Sequence, residues 1–270
     1  MSQTPLMYDD QEKLSESVAV LAELLRNSNY TVAMTGAGVS TESGIPDFRS
    51  PGGVWDRYDP NDFIFPAFMA TDESRRKYWR MSREFYSLMK DAKPNQAHKA
   101  LAMLERKGQM ERLITQNVDG LHQKAGNKPE KIIELHGTVF TVSCLSCGKR
   151  WKRDEIERRL DEGESAPVCD ECSGFLKTDT VSFGQSLSSE LLKLSFDHAH
   201  KSQLFLVIGS SLVVNPAAQL PWSALAHGSK LAIVGLQPTA LDSQAHLTIR
   251  GKAGEVMSAA IRHMGYQIDD

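Results

Sequence analysis

Five short apolar runs set the frame of this chain: Tyr30–Thr35, Arg112–Thr115, Lys131–Leu135, Leu204–Ile208 and Leu231–Val234. Each has the length of a strand rather than a helix, and most are separated by stretches with helical periodicity. A run that is apolar on both faces needs cover on both faces, which helices of a parallel sheet supply. The expected fold class is therefore α/β, a doubly wound parallel sheet. The first expected helix is Asp9 to Arg26, with Leu14, Val18, Leu21 and Leu25 on one face and an Asp9/Glu12 capping box. Further helices are expected over Asn95–Lys107, Ser188–His200 and Lys252–Met264. Another is expected to open at Asn215-Pro216, with the proline at its first position and Pro221 kinking it or ending its first part.

Two stretches break the alternation. Residues 48–91 are rich in Pro, Asp, aromatics and Arg, and residues 138–180 hold all four cysteines and a dense charge run. We read them as two insertions forming a smaller second domain. The main domain then takes residues 9–47, 92–137 and 181–270, and residues 1–8 form a flexible tail. A ligand cleft is expected between the two, outside the carboxyl ends of the strands. The chain has 270 residues, 41% of them apolar, which is enough to bury such a core. A net charge of −3 argues against a nucleic-acid partner, and no polybasic tract points to a membrane surface. No basic start followed by an apolar run marks a signal peptide, so a soluble cytoplasmic protein is expected.

Cys144-x-x-Cys147 and Cys169-x-x-Cys172 are separated by 21 residues. Each pair can chelate one side of a tetrahedral metal, because a knuckle turn aims both sulfurs at one point. Gly148 and Gly174 follow the knuckles, where tight turns are needed. Two disulfides fit poorly without a secretory context. Four thiolates leave no open coordination position, so the expected zinc is structural. The charge run Lys149–Glu164 between the pairs reads as a solvated face.

Thr35-Gly-Ala-Gly-Val-Ser40 follows the first strand and reads as a glycine turn opening a helix, a cradle for phosphate. Thr41 stands where a third glycine would complete the dinucleotide fingerprint, and no acidic residue marks a ribose site at the usual distance. A hydride-transfer dehydrogenase therefore fits poorly. Next comes Ser43-Gly-Ile-Pro-Asp-Phe-Arg49, in which Arg49 can offset phosphate charge and Phe48 can shield a reactive cation from water. Asp47 is either a ligand contact or a turn former. Gln116-Asn-Val-Asp119, Leu135-His-Gly137 and Gly209-Ser-Ser211 each end another strand. Polar motifs at four strand ends converge on one rim, as a nucleotide cleft requires.

Six motifs in this order and spacing resemble the sirtuins. They are Gly36-Ala-Gly-Val-Ser-Thr-Glu-Ser-Gly-Ile-Pro-Asp-Phe-Arg-Ser50, Thr115-Gln-Asn-Val-Asp-Gly-Leu-His122, Leu135-His-Gly137, the paired knuckles, Val181-Ser-Phe-Gly184 and Gly209-Ser-Ser-Leu212. The resemblance runs from about Ser17 to the last helix. It implies a Rossmann-like NAD-binding domain with a zinc and helical module, and NAD cleavage coupled to removal of an acyl group from a protein lysine. It implies NAD contacts at Gly36, Ala37, Gly38, Asp47, Phe48 and Arg49, a nicotinamide and ribose pocket at Gln116, Asn117 and Asp119, and a phosphate and adenosine end at Gly209, Ser210 and Ser211. Gly235, Leu236, Gln237 and Ala253 are further expected cofactor contacts, and Val181, Ser182, Phe183 and Gly184 the strand that pairs with substrate backbone. His136 is the implied general base, assisted by Asn117 and Asp119, and imidazole suits that work because its ordinary pKa of ~6.5 lies near working pH. Cys144, Cys147, Cys169 and Cys172 are the implied zinc ligands. The implied products are free lysine, nicotinamide and O-acyl-ADP-ribose.

The chain departs from the family pattern in places. Gly235 stands where the family usually has Asn, and Lys177-Thr178 and Gly184-Gln185 replace Lys/Arg-Pro and Gly-Glu around the substrate strand. Sirtuins that prefer succinyl or malonyl groups carry Tyr-x-x-Arg in the helical insert; the best-matching place here reads Trp79-Arg-Met-Ser82, against an acidic acyl group. Arg76-Lys-Tyr-Trp-Arg80 and Ser40-Thr-Glu-Ser43 resemble the branch with weak-deacetylase mitochondrial members. Mono-ADP-ribosyl transfer and NAD hydrolysis are the competing reactions on the same fold, and a non-enzymatic NAD sensor or peptide-binding module is the competing class.

Overall fold

The computed structural model describes residues 11–268; the expected tail over 1–8 and the Asp9 cap lie outside them. The chain begins with α1 (Gln11–Asn27) and β1 (Thr31–Thr35). α2 (Phe65–Ala70), α3 (Asp72–Asp91) and α4 (Gln96–Arg106) lead to β2 (Arg112–Thr115). After α5 (Leu121–Lys124) come β3 (Ile132–Glu134), β4 (Gly137–Cys144), β5 (Arg150–Lys152), α6 (Arg153–Asp161) and β6 (Leu176–Thr180). α7 (Ser189–Lys201), β7 (Leu204–Ile208), α8 (Gln219–Ala226), β8 (Lys230–Val234), β9 (Leu247–Ile249) and α9 (Ala253–His263) complete it.

Six strands form one parallel sheet in the order β3-β2-β1-β7-β8-β9. The strands alternate as the pleat requires. Ala33, Leu113, Leu206 and Ala232 pack on one side with Val18, Leu21 and Leu25 of α1, Leu101 and Leu104 of α4, and Val256, Met257, Ala260 and Ile261 of α9. Val32, Met34, Ile114, Phe205, Val207 and Ile233 face the other side, against Ala199 of α7 and Leu220 and Ala224 of α8. Strand order turns back between β1 and β7, so the loops leaving their carboxyl ends part and leave a crevice.

β4, β5 and β6 form a separate antiparallel sheet in the order β5-β4-β6. Val142 and Leu176 of this sheet pack with Ile156 and Leu160 of α6, Trp79 of α3 and Phe68 of α2. The Lys149–Glu164 run is not wholly solvated as expected: Arg153 is buried. Its guanidinium lies 5.0 Å from the Trp79 ring centre and 4.9 Å from that of Tyr86, and it donates to Ser82 Oγ at 2.8 Å and Glu157 Oε1 at 2.7 Å. A buried cation is tolerated when paired and hydrogen-bonded in this way.

Other expectations are corrected. α8 begins at Gln219, not at Pro216; the Asn215–Pro216 peptide is cis and precedes the helix. Pro221 falls in the first turn of α8, where no intrahelical N–H bond is needed, and the helix runs on past it to Ala226. β9 was invisible because Leu247–Ile249 is only three residues long.

Candidate active site

The cradle after β1 is built from two backbone loops pressed together. Gly36 N–H donates to the Ile208 carbonyl at 3.1 Å, and Gly38 N–H to the Gly209 carbonyl at 2.9 Å. Gly209 has φ +61°, and a Cβ there would overlap the Val39 amide, so only glycine permits this approach. The expected helix after the loop is not formed. Two short 3-10 turns, Ala37–Val39 and Thr41–Ser43, take its place. Any anion held here meets loop N–H groups rather than the dipole of a long helix. Gln116 Nε2 donates to Ser210 Oγ at 2.8 Å, tying the end of β2 to the end of β7.

A cavity of about 440 Å³ opens above these ends. Gly36, Ala37, Gly38, Asp47, Phe48 and Arg49 line it, as do Gln116, Asn117, Asp119 and His136. Gly209, Ser210, Ser211, Gly235, Leu236, Gln237 and Ala253 line the part at the ends of β7 and β8 and the start of α9, and Val181, Ser182, Phe183 and Gly184 another part. The structure thus brings together every expected site residue except the cysteines.

His136 sits at the end of β3, its ring largely buried. Its Nδ1 is 2.9 Å from the Gln116 carbonyl. A carbonyl can only accept, so Nδ1 carries the proton and Nε2 is left bare in the neutral ring. Burial lowers the imidazole pKa, and the Gln116 carbonyl opposes that shift only in part. The ring is therefore neutral at pH 7, with a basic nitrogen available on the cavity wall. The His136 carbonyl accepts from Val181 N–H at 2.8 Å, which fixes the backbone. Gly137 has φ +74°, and a Cβ there would overlap the Asp179 carbonyl where β6 crosses.

Asn117 and Asp119 are organised by Ser40. Asn117 Nδ2 donates to Ser40 Oγ at 3.0 Å, and Ser40 Oγ donates to Asp119 Oδ2 at 2.7 Å. Leu121 N–H donates to Asp119 Oδ1 at 2.9 Å. Burial pushes the Asp119 carboxyl up, against these donors. Behind them His98 Nδ1 accepts from Asn95 N–H at 3.3 Å, leaving Nε2 to donate towards Ser40 at 3.4 Å. Burial takes the His98 pKa down to about 4, so this ring too is neutral. Ser40 stands in the first motif but was not singled out as a site residue, because nothing local shows which strand ends it will meet.

Asp47 is turned inward on its own loop. Its carboxylate accepts from Arg49 N–H at 2.9 Å, Ser50 N–H at 2.7 Å and Ser50 Oγ at 2.6 Å. Burial would raise its pKa, but these donors outweigh it and hold it low. Phe48, Trp55 and Phe183 form an aromatic lip, with ring centres 5.4 Å and 6.1 Å apart in succession. The expected strand at Val181–Gly184 is a turn here: Gln185 N–H donates to the Ser182 carbonyl at 3.0 Å, and Phe65 N–H to the Phe183 carbonyl at 2.8 Å. In α3 the residues facing the cavity are Tyr78, Met81, Ser82, Phe85 and Met89, one helical face. Trp79 instead points into the core of the small sheet. Of the Trp79-x-x-Ser82 comparison, only Ser82 therefore lines the cavity.

Away from the cavity, the four cysteine sulfurs lie within 4.8 Å of one another, and none is in a disulfide. Cys144 Sγ is 3.5 Å from Cys172 Sγ, and Cys147 Sγ 3.7 Å from Cys169 Sγ. Tetrahedral zinc with bonds of ~2.3 Å needs sulfurs about 3.8 Å apart, so the donor set fits. Burial opposes a thiolate at Cys144, but the N–H groups of Cys147 and Ser146 bring its pKa down to about 6.

The family model described as the Sir2 family matches residues 36–216. The NAD-dependent protein deacetylase of Thermodesulfovibrio yellowstonii is 41% identical over 242 residues, which is 90% of this chain and 93% of that protein. A solved Sir2 complex with a p53 peptide and NAD+ superposes with a TM-score of 0.84 at 39% identity, covering 91% of this chain and 98% of that one. A Sir2 structure bound to acetylated peptide superposes with a TM-score of 0.83 at 38% identity, covering 91% and 98%.

Proposed function

The chain belongs to the Sir2 family, and from that premise we infer that it is an NAD-dependent protein-lysine deacylase. The observation that carries the mechanism is the locked His136 ring, with Nδ1 committed to the Gln116 carbonyl and Nε2 bare on the cavity wall. When bound, NAD would supply the ribose whose bond to nicotinamide breaks and which takes up the acyl group; with one water consumed to release the amine, the products would be nicotinamide, free lysine and O-acyl-ADP-ribose. His136 accepts a ribose hydroxyl proton at Nε2, as a neutral imidazole can. Asn117 and Asp119, held by Ser40, orient the nicotinamide end, and the Ala37, Ser210 and Ser211 N–H groups take the phosphates, those of Gly36, Gly38 and Gly209 being committed to the Ile208, Gly209 and Val234 carbonyls. The Phe48 lip keeps water from the reacting carbon. Val181–Gly184 opens from its turn to pair with the peptide backbone. A structural zinc on the four cysteines holds the small sheet and takes no part in the reaction.

The cavity wall of Tyr78, Met81, Phe85 and Met89 offers apolar surface and no cation, which supports uncharged acyl groups. We read residues 9–47, 92–137 and 181–270 as the cofactor domain, and 48–91 with 138–180 as the smaller one, on the strength of the two separate sheets. A cytoplasmic location is part of this reading, since four cysteines placed to hold a metal suit a reducing compartment better than disulfides do. Among the described residues no helix is long and apolar enough to cross a membrane.

Incubation with acetyl-lysine peptide and NAD, followed by mass spectrometry, tests the reading. O-acetyl-ADP-ribose is the expected product; ADP-ribosylated protein, or free ADP-ribose alone, would favour the competing reactions. His136→Ala is expected to lose turnover by about 10²–10⁴-fold. Undiminished turnover removes His136 from the mechanism.

A further inference from the structure

Glu42 lies in the second turn of the glycine loop, exposed and outside the set of cavity-lining residues. Its carboxylate reaches across 212 positions of sequence and accepts the Gly254 N–H at 2.7 Å. Gly254 is the second residue of α9. Lys252, at the N-cap of that helix, makes no side-chain cap bond, and Glu42 supplies a carboxylate acceptor to the first turn from outside the helix. A carboxylate is the favoured partner at that position, through both the hydrogen bond and the positive end of the helix.

The two ends of this contact border the same cavity. Thr41, next to Glu42, lines it and donates from Oγ1 to the Gly38 carbonyl at 3.0 Å. Gly251, Lys252 and Ala253, immediately before Gly254, line it where the chain enters α9. Glu42 therefore joins the loop that holds one wall to the helix that holds another. The fit is close on the α9 side: a Cβ on Gly254 would lie 2.9 Å from Glu42 Oε1.

We propose that Glu42 is a positioning residue for the cofactor, its carboxylate clamping the start of α9 so that the Gly251–Ala253 wall stays in register with the Gly36–Gly38 loop. This rests on the reading of the cavity as an NAD site. The clamp sits on the binding side of the cavity and touches no reacting atom. It acts on NAD affinity and leaves the acyl-transfer step and peptide binding alone.

The test measures NAD binding by calorimetry, and steady-state kinetics with acetyl-lysine peptide, on the parent, Glu42→Ala, Glu42→Gln and Gly254→Ala. Glu42→Ala removes the acceptor, and Gly254→Ala pushes it away while keeping the charge and favouring the helix. Both are expected to raise Kd and KM for NAD roughly tenfold, with kcat and the peptide KM within about twofold. Glu42→Gln keeps an acceptor oxygen and is expected within about threefold of the parent for NAD. An unchanged Kd for NAD in Glu42→Ala overturns the proposal. So does a parallel rise in both KM values, which is what mere loosening of α9 would give. NAD binding without turnover by the parent would strike the deacylase reading and leave the clamp to be judged on binding alone.

Discussion

Gly209 and Gly235 both end strands on the cavity floor, yet their backbones make opposite demands. Gly209 has φ +61° and lies against the Val39 amide. A side chain at Gly235 would find its nearest neighbour 3.9 Å away, and its φ lies outside the left-handed region. Gly235→Ala is therefore expected to stabilise the cofactor-free protein by about 0.4–1 kcal/mol, by narrowing the unfolded ensemble. Gly209→Ala should destabilise it by more than that. Urea denaturation midpoints of the two variants check the pair; a loss of stability in Gly235→Ala would contradict the open space beside it. The sequence showed both as strand-end glycines. Which one the fold requires depends on the loop from Gly36 to Val39, which lies far away along the chain.

At the scale of elements, the small sheet depends most on something outside the apolar core. Its core is Val142, Leu176, Ile156 and Leu160 with Trp79, Tyr78 and Phe68 from α3 and α2, and two of its cysteines are buried in the same cluster. Zinc bound by four thiolates is worth ~10–16 kcal/mol of folding free energy in small modules. Cys144→Ser, or chelation, is expected to release the metal and unfold residues 138–180 together. Amide exchange in that segment measures it, and protection retained in metal-free protein would refute the structural role. The knuckles were legible because ligand spacing is local. Two of the strands around them were not, because β5 is three residues long and β6 reads Leu-Lys-Thr-Asp-Thr, without an apolar run.

For the whole molecule, two imidazoles sit neutral beneath the site where α4 and α5 meet the sheet. Burial takes His98 down to about 4 and His122 well below its ordinary value, the latter reinforced by His98 itself. In the unfolded chain each titrates near ~6.5. As pH falls below that value the unfolded state binds protons that the native state refuses, so stability is full above pH ~6.5 and declines towards pH 4, by about 1.4 kcal/mol per pH unit for His98, with His122 adding in the same direction. The urea midpoint is expected to drop between pH 7 and pH 5, and His98→Asn to flatten that slope. Equal midpoints at the two pH values would show that the rings are not held neutral.

The division between chain and fold follows from the range of the forces involved. Strand length, apolar alternation, knuckle spacing and glycine turns act over a few residues, so the sequence alone determined the parallel sheet, the metal ligands and the motifs at the strand ends. Contacts between residues distant in sequence were decided by the tertiary structure. Packing β1 beside β2 and β7 brought Ser40 to Asn117 and Asp119 and placed the Gln116 carbonyl against His136. It also rotated α3 so that Tyr78 and Met81, not Trp79, face the cavity, and set Glu42 under the first turn of α9. Such pairings exist only once burial of the two apolar sheet faces has fixed which loops become neighbours.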